Sequence, residues 1–145
     1  MSDGKKTDSL RERRELAFQQ ISEMISPEQA DFIRNKIDKD DFGSALLEMT
    51  MDHCYADVWP REGLSRRDRS LVTLGILIAQ KAEPEMVFQT KMALRNGVKP
   101  REIEEIILHA LTYVGFSAAN LANATMLDVL KQEGVKTEGR DPADP

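Results

Sequence analysis

The sequence predicts an all-α fold of six to seven helices, and three observations predict it. No segment sustains the two-residue alternation of a half-buried strand. The β-branched residues fall in helical phase, as Ile103, Ile106, Ile107 and Val114 do. Proline and glycine stand where helices begin and end. Ser26-Pro27, Glu83-Pro84 and Lys99-Pro100 read as starts, and Asn96-Gly97, Gly115 and Gly134 as stops.

Residues 1–8 read as a flexible lead. Leu10 to Ile25 form a charged amphipathic helix with Leu10, Ala17, Ile21 and Met24 or Ile25 along one stripe. Ser26 caps a second helix that runs to about Ile37. Asp40 or Asp41 caps a third, from about Phe42 to Val58. Here Phe42, Ala45, Leu46, Met49 and His53 make one apolar stripe, and Leu47, Met51, Cys54 and Val58 another. Trp59-Pro60 ends it, because the residue before proline is pushed out of helical geometry. Ser65, with Asp68 three residues on, caps a fourth helix to about Lys81. The fifth stops at Asn96. The sixth carries Glu102, Glu104 and Glu105 near its start, where the helix dipole favours them. Ser117 caps the seventh, which stops at Gly134. Residues 135–145 have almost nothing to bury and read as a disordered tail. One helical domain over residues 9–134 is therefore expected.

The bulk numbers exclude several classes. With 145 residues, 41% apolar and 31% charged, the chain has a globular composition and room for a core. A net charge of −5 argues against general nucleic-acid binding. No run nears the roughly 18 apolar residues of a membrane span. Met1 to Arg14 lacks an apolar signal-peptide core, and Cys54 is the single cysteine, so a reducing cytoplasm is the expected location. The third helix is apolar on two sides and the fourth nearly all round. The seventh is rich in small residues, among them Ala118, Ala119 and Ala122. A chain this short has little interior for so much apolar surface, and a homo-oligomer is expected.

One stretch breaks a local rule. After the lone Trp59, the fourth helix begins with Arg66, Arg67 and Arg69, although cations disfavour a helix N-terminus. Together with Arg61 these could bind an anion through the guanidinium fork, or simply pair with Asp57, Glu62 and Asp68. On the sixth helix Glu102, Glu105, His109, Tyr113 and Phe116 share a stripe. His109, with Glu105 one turn before it, reads first as an ordinary surface or interface histidine, and also suits a general acid or base. His53, on an apolar stripe, suits a core histidine. Asp52, His53 and Cys54 are consecutive and so diverge, which makes a poor metal site. Cys54 suits a small buried hydrophobe. There is no phosphate-binding glycine loop, no HExxH and no nucleophile elbow.

Three segments taken together resemble a known family. They are Asp57-Val-Trp-Pro-Arg-Glu-Gly-Leu-Ser-Arg-Arg-Asp-Arg-Ser-Leu-Val-Thr, Met92-Ala-Leu-Arg-Asn-Gly-Val, and Glu102 through Ala119. In order and spacing they resemble the carboxymuconolactone decarboxylase family, over roughly residues 42–131. The resemblance implies a helical fold shared with alkylhydroperoxidase D, and trimers or hexamers with sites near subunit contacts. The peroxidase branch of that superfamily uses a Glu, a Cys-x-x-Cys pair and a His. At the matching positions this chain has Ser70, Ala82, Glu85 and Gln89, so the dithiol cycle is absent from them. The decarboxylase branch converts a carboxylated lactone in aromatic catabolism without metal or organic cofactor. By that resemblance Arg61, Arg66 and Arg69 suit the substrate's carboxylates, His109 the proton, and Trp59 and Tyr113 the pocket wall. Gln89 takes a substrate-facing position where decarboxylases of this type commonly carry a His, and it cannot exchange a proton near neutral pH. The expected function is a cofactor-independent lyase on a small carboxylated lactone or related acid. The alternatives are a redox protein using Cys54 and a non-catalytic oligomeric binding protein.

Overall fold

The computed structural model describes residues 3–137, with side chains from Ser9 onward; the expected C-terminal tail lies outside the described residues from Glu138. Every regular element among the described residues is helical. They are α1 (Asp3–Met24), α2 (Pro27–Asp38), α3 (Ser44–Met49), a π-helical segment (Thr50–Ala56), α4 (Arg66–Gln80), α5 (Glu83–Arg95), α6 (Pro100–Val114) and α7 (Phe116–Gln132). The chain groups into two compact units, residues 1–66 and 67–145.

In the first unit α1 packs against α2 and the π-helical segment, and α2 against α3. The backbone is already helical at Asp3, inside the expected flexible lead. Ala17, Phe18, Ile21 and Met24 form the buried face of α1. Its other flank is fastened by charge. Arg14 grips Asp52 through two bonds, Nε–Oδ1 at 2.6 Å and Nη2–Oδ2 at 2.8 Å, and Arg13 meets Asp57 at 2.8 Å. Arg14 holds the Asp52 carboxyl below the ordinary aspartate range. Ser26 caps α2 as expected, its Oγ accepting from the Gln29 N–H at 3.2 Å.

The third helix departs from the expectation in two ways. Gly43, at φ 92°, precedes Ser44 with no side-chain cap, so neither Asp40 nor Asp41 is the N-cap. After Met49 the turns widen into the π-helical segment. Thr50 Oγ1 donates back to the Leu46 carbonyl at 2.8 Å, the kind of side-chain bond that bends a helix at that point. The widened segment buries Met51 and Tyr55, and Tyr55 stacks on Trp59 with centroids 6.2 Å apart and planes 17° from parallel. His53 faces outward at 68% exposure, so it is not a core histidine. Phe42, Leu46 and Met49 are exposed with it. The stripe is helical in phase but covers no core in this chain.

In the second unit α7 packs against both α5 and α6. Leu74, Ile78, Met86, Ala93, Ile103, Ile107, Ala122 and Met126 form the centre of its core. The small residues of α7, Ala118, Ala119 and Ala122, are buried there, where their short side chains admit a close neighbour. The turn between α6 and α7 is Gly115 at φ 87° and ψ 173°, a backbone region open essentially to glycine. Gly115 is also the residue that precedes α7. Ser117 lies inside the helix and is not its cap, since the chain re-enters helical geometry one residue after the glycine.

Candidate active site

The second unit holds a cavity of about 590 Å³ between α4 and α6. Leu71, Val72 and Gly75 line it from α4, and Ile106, Ala110 and Val114 from α6. The chemistry-bearing groups all come from α6: Glu102, Glu105, His109 and Tyr113. This follows from helical geometry, because steps of three and four residues return to one face. Gly75 gives the cavity depth. A Cβ added there would meet nothing within 4 Å.

Most of the wall is apolar, with His109 and Tyr113 set into it. Their ring centroids are 5.2 Å apart and the planes tilt by 44°. His109 is exposed, and its carbonyl accepts from the Thr112 hydroxyl at 2.8 Å. Glu105, one turn before His109, lies 3.4 Å from Arg101 Nη2, and Arg101 also bonds Glu104 at 2.8 Å. Glu102 is held from two sides. One carboxylate oxygen accepts the Lys99 N–H at 2.9 Å, and the other meets the Arg67 guanidinium. The three acidic side chains of α6 thus share two arginines, Arg67 and Arg101.

Of the residues singled out from the sequence, His109 and Tyr113 line the cavity. Arg69 on α4 and Gln89 on α5 are half-buried in the same unit but are not among its lining residues. Arg61 and Trp59 belong to the first unit, Arg61 exposed in the turn before α4 and Trp59 buried on Tyr55. Arg66 bonds Glu23 at 2.6 Å and Gln20 at 2.7 Å on α1, a structural engagement. Arg67 belongs to the arginine cluster read from the sequence but not to the residues the resemblance implies, and it is not itself among the lining residues. Its four-residue spacing from Leu71 and Gly75 is the signal that places it on the cavity face of α4. Cys54 is half-buried in the π-helical segment, and burial pushes its thiol above the ordinary cysteine range. Its thiolate, the reactive form, is correspondingly scarce near neutral pH. Among the described residues no His, Cys, Asp and Glu group has the arrangement of a metal site, and no helix is long and apolar enough to cross a membrane.

Residues 44–127 match the carboxymuconolactone decarboxylase family. The chain is 35% identical over 98 residues to the 4-carboxymuconolactone decarboxylase of Acinetobacter baylyi, a match covering 68% of this chain and 73% of that protein. It is 46% identical over 68 residues to the nitrosuccinic acid decarboxylase of Metarhizium robertsii, covering 47% of this chain and 48% of that protein. The first match takes in about three quarters of its relative and the second about half.

Proposed function

Because the chain belongs to the carboxymuconolactone decarboxylase family, we propose that it releases CO2 from a small carboxylic acid and that His109 supplies the replacement proton. The observation that carries this reading is the placement of His109 beside Tyr113 in a cavity whose wall is mostly apolar. Both relatives are named for decarboxylation, one of a carboxylated lactone and one of a nitro acid. The two substrates share one chemical property. Each can take up the electron pair left by CO2, into the unsaturated lactone or into the nitro group. This chain's substrate belongs to that class.

The step balances simply. The bond between the carboxylate carbon and its neighbour breaks, CO2 departs, and the electron pair is delocalised into the acceptor group. A proton from the His109 imidazolium then goes to carbon, and water restores the imidazolium. The step as written calls for no metal or organic cofactor, since the substrate's own acceptor holds the charge. An apolar wall favours loss of a carboxylate's charge as CO2, because it replaces the water that stabilises the anion. A histidine titrates near neutrality and suits the donor role.

Self-association is part of the reading. Phe42 is fully exposed, and Leu46, Met49, Val72, Ile76 and Phe116 are each more than half exposed. A trimer or hexamer of identical chains would cover such residues.

The test is CO2 release from 4-carboxymuconolactone, nitrosuccinate and a panel of related lactone and nitro acids. Turnover of at least one supports the reading. No CO2 above the uncatalysed rate from any of them overturns it, and saturable binding without release would favour a binding protein.

A further inference from the structure

No arginine or lysine is among the cavity's lining residues, and the decarboxylase reading leaves open which cation beside it receives an acid. Arg66, the first arginine of α4, is engaged by Glu23 and Gln20 of α1. Arg67 lies about 100° further round the helix. Residues 67, 71 and 75 share a face at four-residue spacing, and Leu71 and Gly75 line the cavity. The Arg67 guanidinium reaches Glu102, itself a lining residue, and contacts Asp68 Oδ1 at 3.2 Å. Its side chain remains 39% exposed, so the fork is open to exchange. Glu102 is anchored independently, by the Lys99 N–H at 2.9 Å, and keeps that hydrogen bond if Arg67 turns away.

We propose that Arg67 is the carboxylate-binding cation of this cavity, and that Glu102 is its resident counter-ion, displaced when a diacid enters. The inference rests on the reading of the cavity as an acid-binding active site. Glu102 and His109 are seven residues apart on α6, about 10 Å along the axis. A short diacid spans that interval with one carboxylate on Arg67 and the other beside His109. The carboxylate on the guanidinium is retained, and the one in the apolar section departs as CO2. Planar, two-point recognition is what a guanidinium fork provides and an ammonium does not. The arrangement therefore selects diacids over monoacids of the same length.

Succinate, which has no acceptor group to drive decarboxylation, is the binding probe, with propionate as the monoacid control. Binding is measured by calorimetry on the full chain, with circular dichroism to confirm folding. Arg67→Gln is expected to weaken succinate binding tenfold or more and to abolish its preference over propionate. Glu102→Gln removes the competing counter-ion and is expected to tighten succinate several-fold. Arg67→Lys, which keeps the charge without the fork, is expected to fall between wild type and Arg67→Gln. A merely structural bridge predicts another pattern, in which both halves of the pair lower thermal stability and succinate binding together. That pattern overturns the proposal, as does unchanged binding in Arg67→Gln, or no succinate binding by wild type and Glu102→Gln alike. The two readings fail separately. Opposite shifts in the two variants without CO2 release from any acid retain Arg67 and remove the decarboxylase. CO2 release with an unchanged KM in Arg67→Gln does the reverse.

Discussion

The Tyr113 ring lies 5.2 Å from the His109 ring, tilted by 44°, one turn further along α6. Tyr113 is itself 78% exposed, so it supports the imidazole from one side and leaves the other open to the cavity and solvent. A proton donor that must be recharged from water needs that access. His109→Gln preserves shape and hydrogen bonding but cannot exchange a proton near neutral pH. Its kcat is expected to fall by about 10²- to 10⁴-fold with little change in KM, the usual worth of a positioned general acid. Tyr113→Phe keeps the ring contact and is expected to lose far less. Steady-state CO2 release checks both, and a His109→Gln enzyme with wild-type kcat removes the assignment.

Gly75 separates stability from activity. It lies inside α4, where glycine costs about 1 kcal/mol relative to alanine, and a Cβ there meets only open space. Gly75→Leu is therefore expected to raise the urea midpoint of unfolding. Its side chain would also occupy the cavity, so substrate KM is expected to rise at least tenfold. A variant both more stable and fully active would show that substrate does not enter between α4 and α6.

The Arg14–Asp52 pair links stability to pH. Arg14 lowers the Asp52 pKa in the folded chain, chiefly through the hydrogen bond between them. A depressed carboxyl contributes stability that is complete above its unfolded value and is lost as pH falls through the folded one. Unfolding free energy is thus expected to decline below about pH 5, where an unfolded aspartate begins to take up protons. Arg14→Gln is expected to flatten that decline and to lower stability at neutral pH. Urea unfolding between pH 3 and pH 7 checks this, and an unchanged acid limb in Arg14→Gln would count against it.

Cys54 offers a test of the redox alternative. Its burial disfavours the thiolate, and the positions that match the peroxidase dithiol hold Ala82 and Glu85. Slow labelling by iodoacetamide at neutral pH is expected, and Cys54→Ser should leave CO2 release unchanged. Peroxide consumption by wild type that disappears in Cys54→Ser would establish a redox role.

The helix order was legible because proline, glycine and a serine cap mark boundaries through backbone geometry alone. Ser26-Pro27, Asn96-Gly97 and Gly115 all stand at helix ends. Two caps were misread, at Asp40 or Asp41 and at Ser117, because a cap depends on the dihedral angles of its own residue, and nearby glycines took those positions. The exposed stripe of Phe42, Leu46 and Met49 shows a related limit: periodicity reports which residues share a face, and leaves unsaid whether this chain covers it. The site divides along the same line. That His109 and Tyr113 share one face was legible from their spacing on one helix, and both line the cavity. The separate engagements of Arg66 and Arg67 were not, since adjacent residues diverge by about 100° and their partners are remote in sequence.

The π-helical segment at Thr50–Ala56 also bears on how this chain tolerates length change. A π turn is an α turn with an extra residue wound in. Deleting one residue there lets the backbone rewind as α-helix, and the shift in phase ends at Pro60. The same deletion between Glu102 and His109 would rotate everything after it by about 100° and carry His109 and Tyr113 off the cavity. Single-residue insertions and deletions are therefore expected to survive near Thr50 and to abolish function in α6, a difference in evolutionary freedom that a length-variant library would expose.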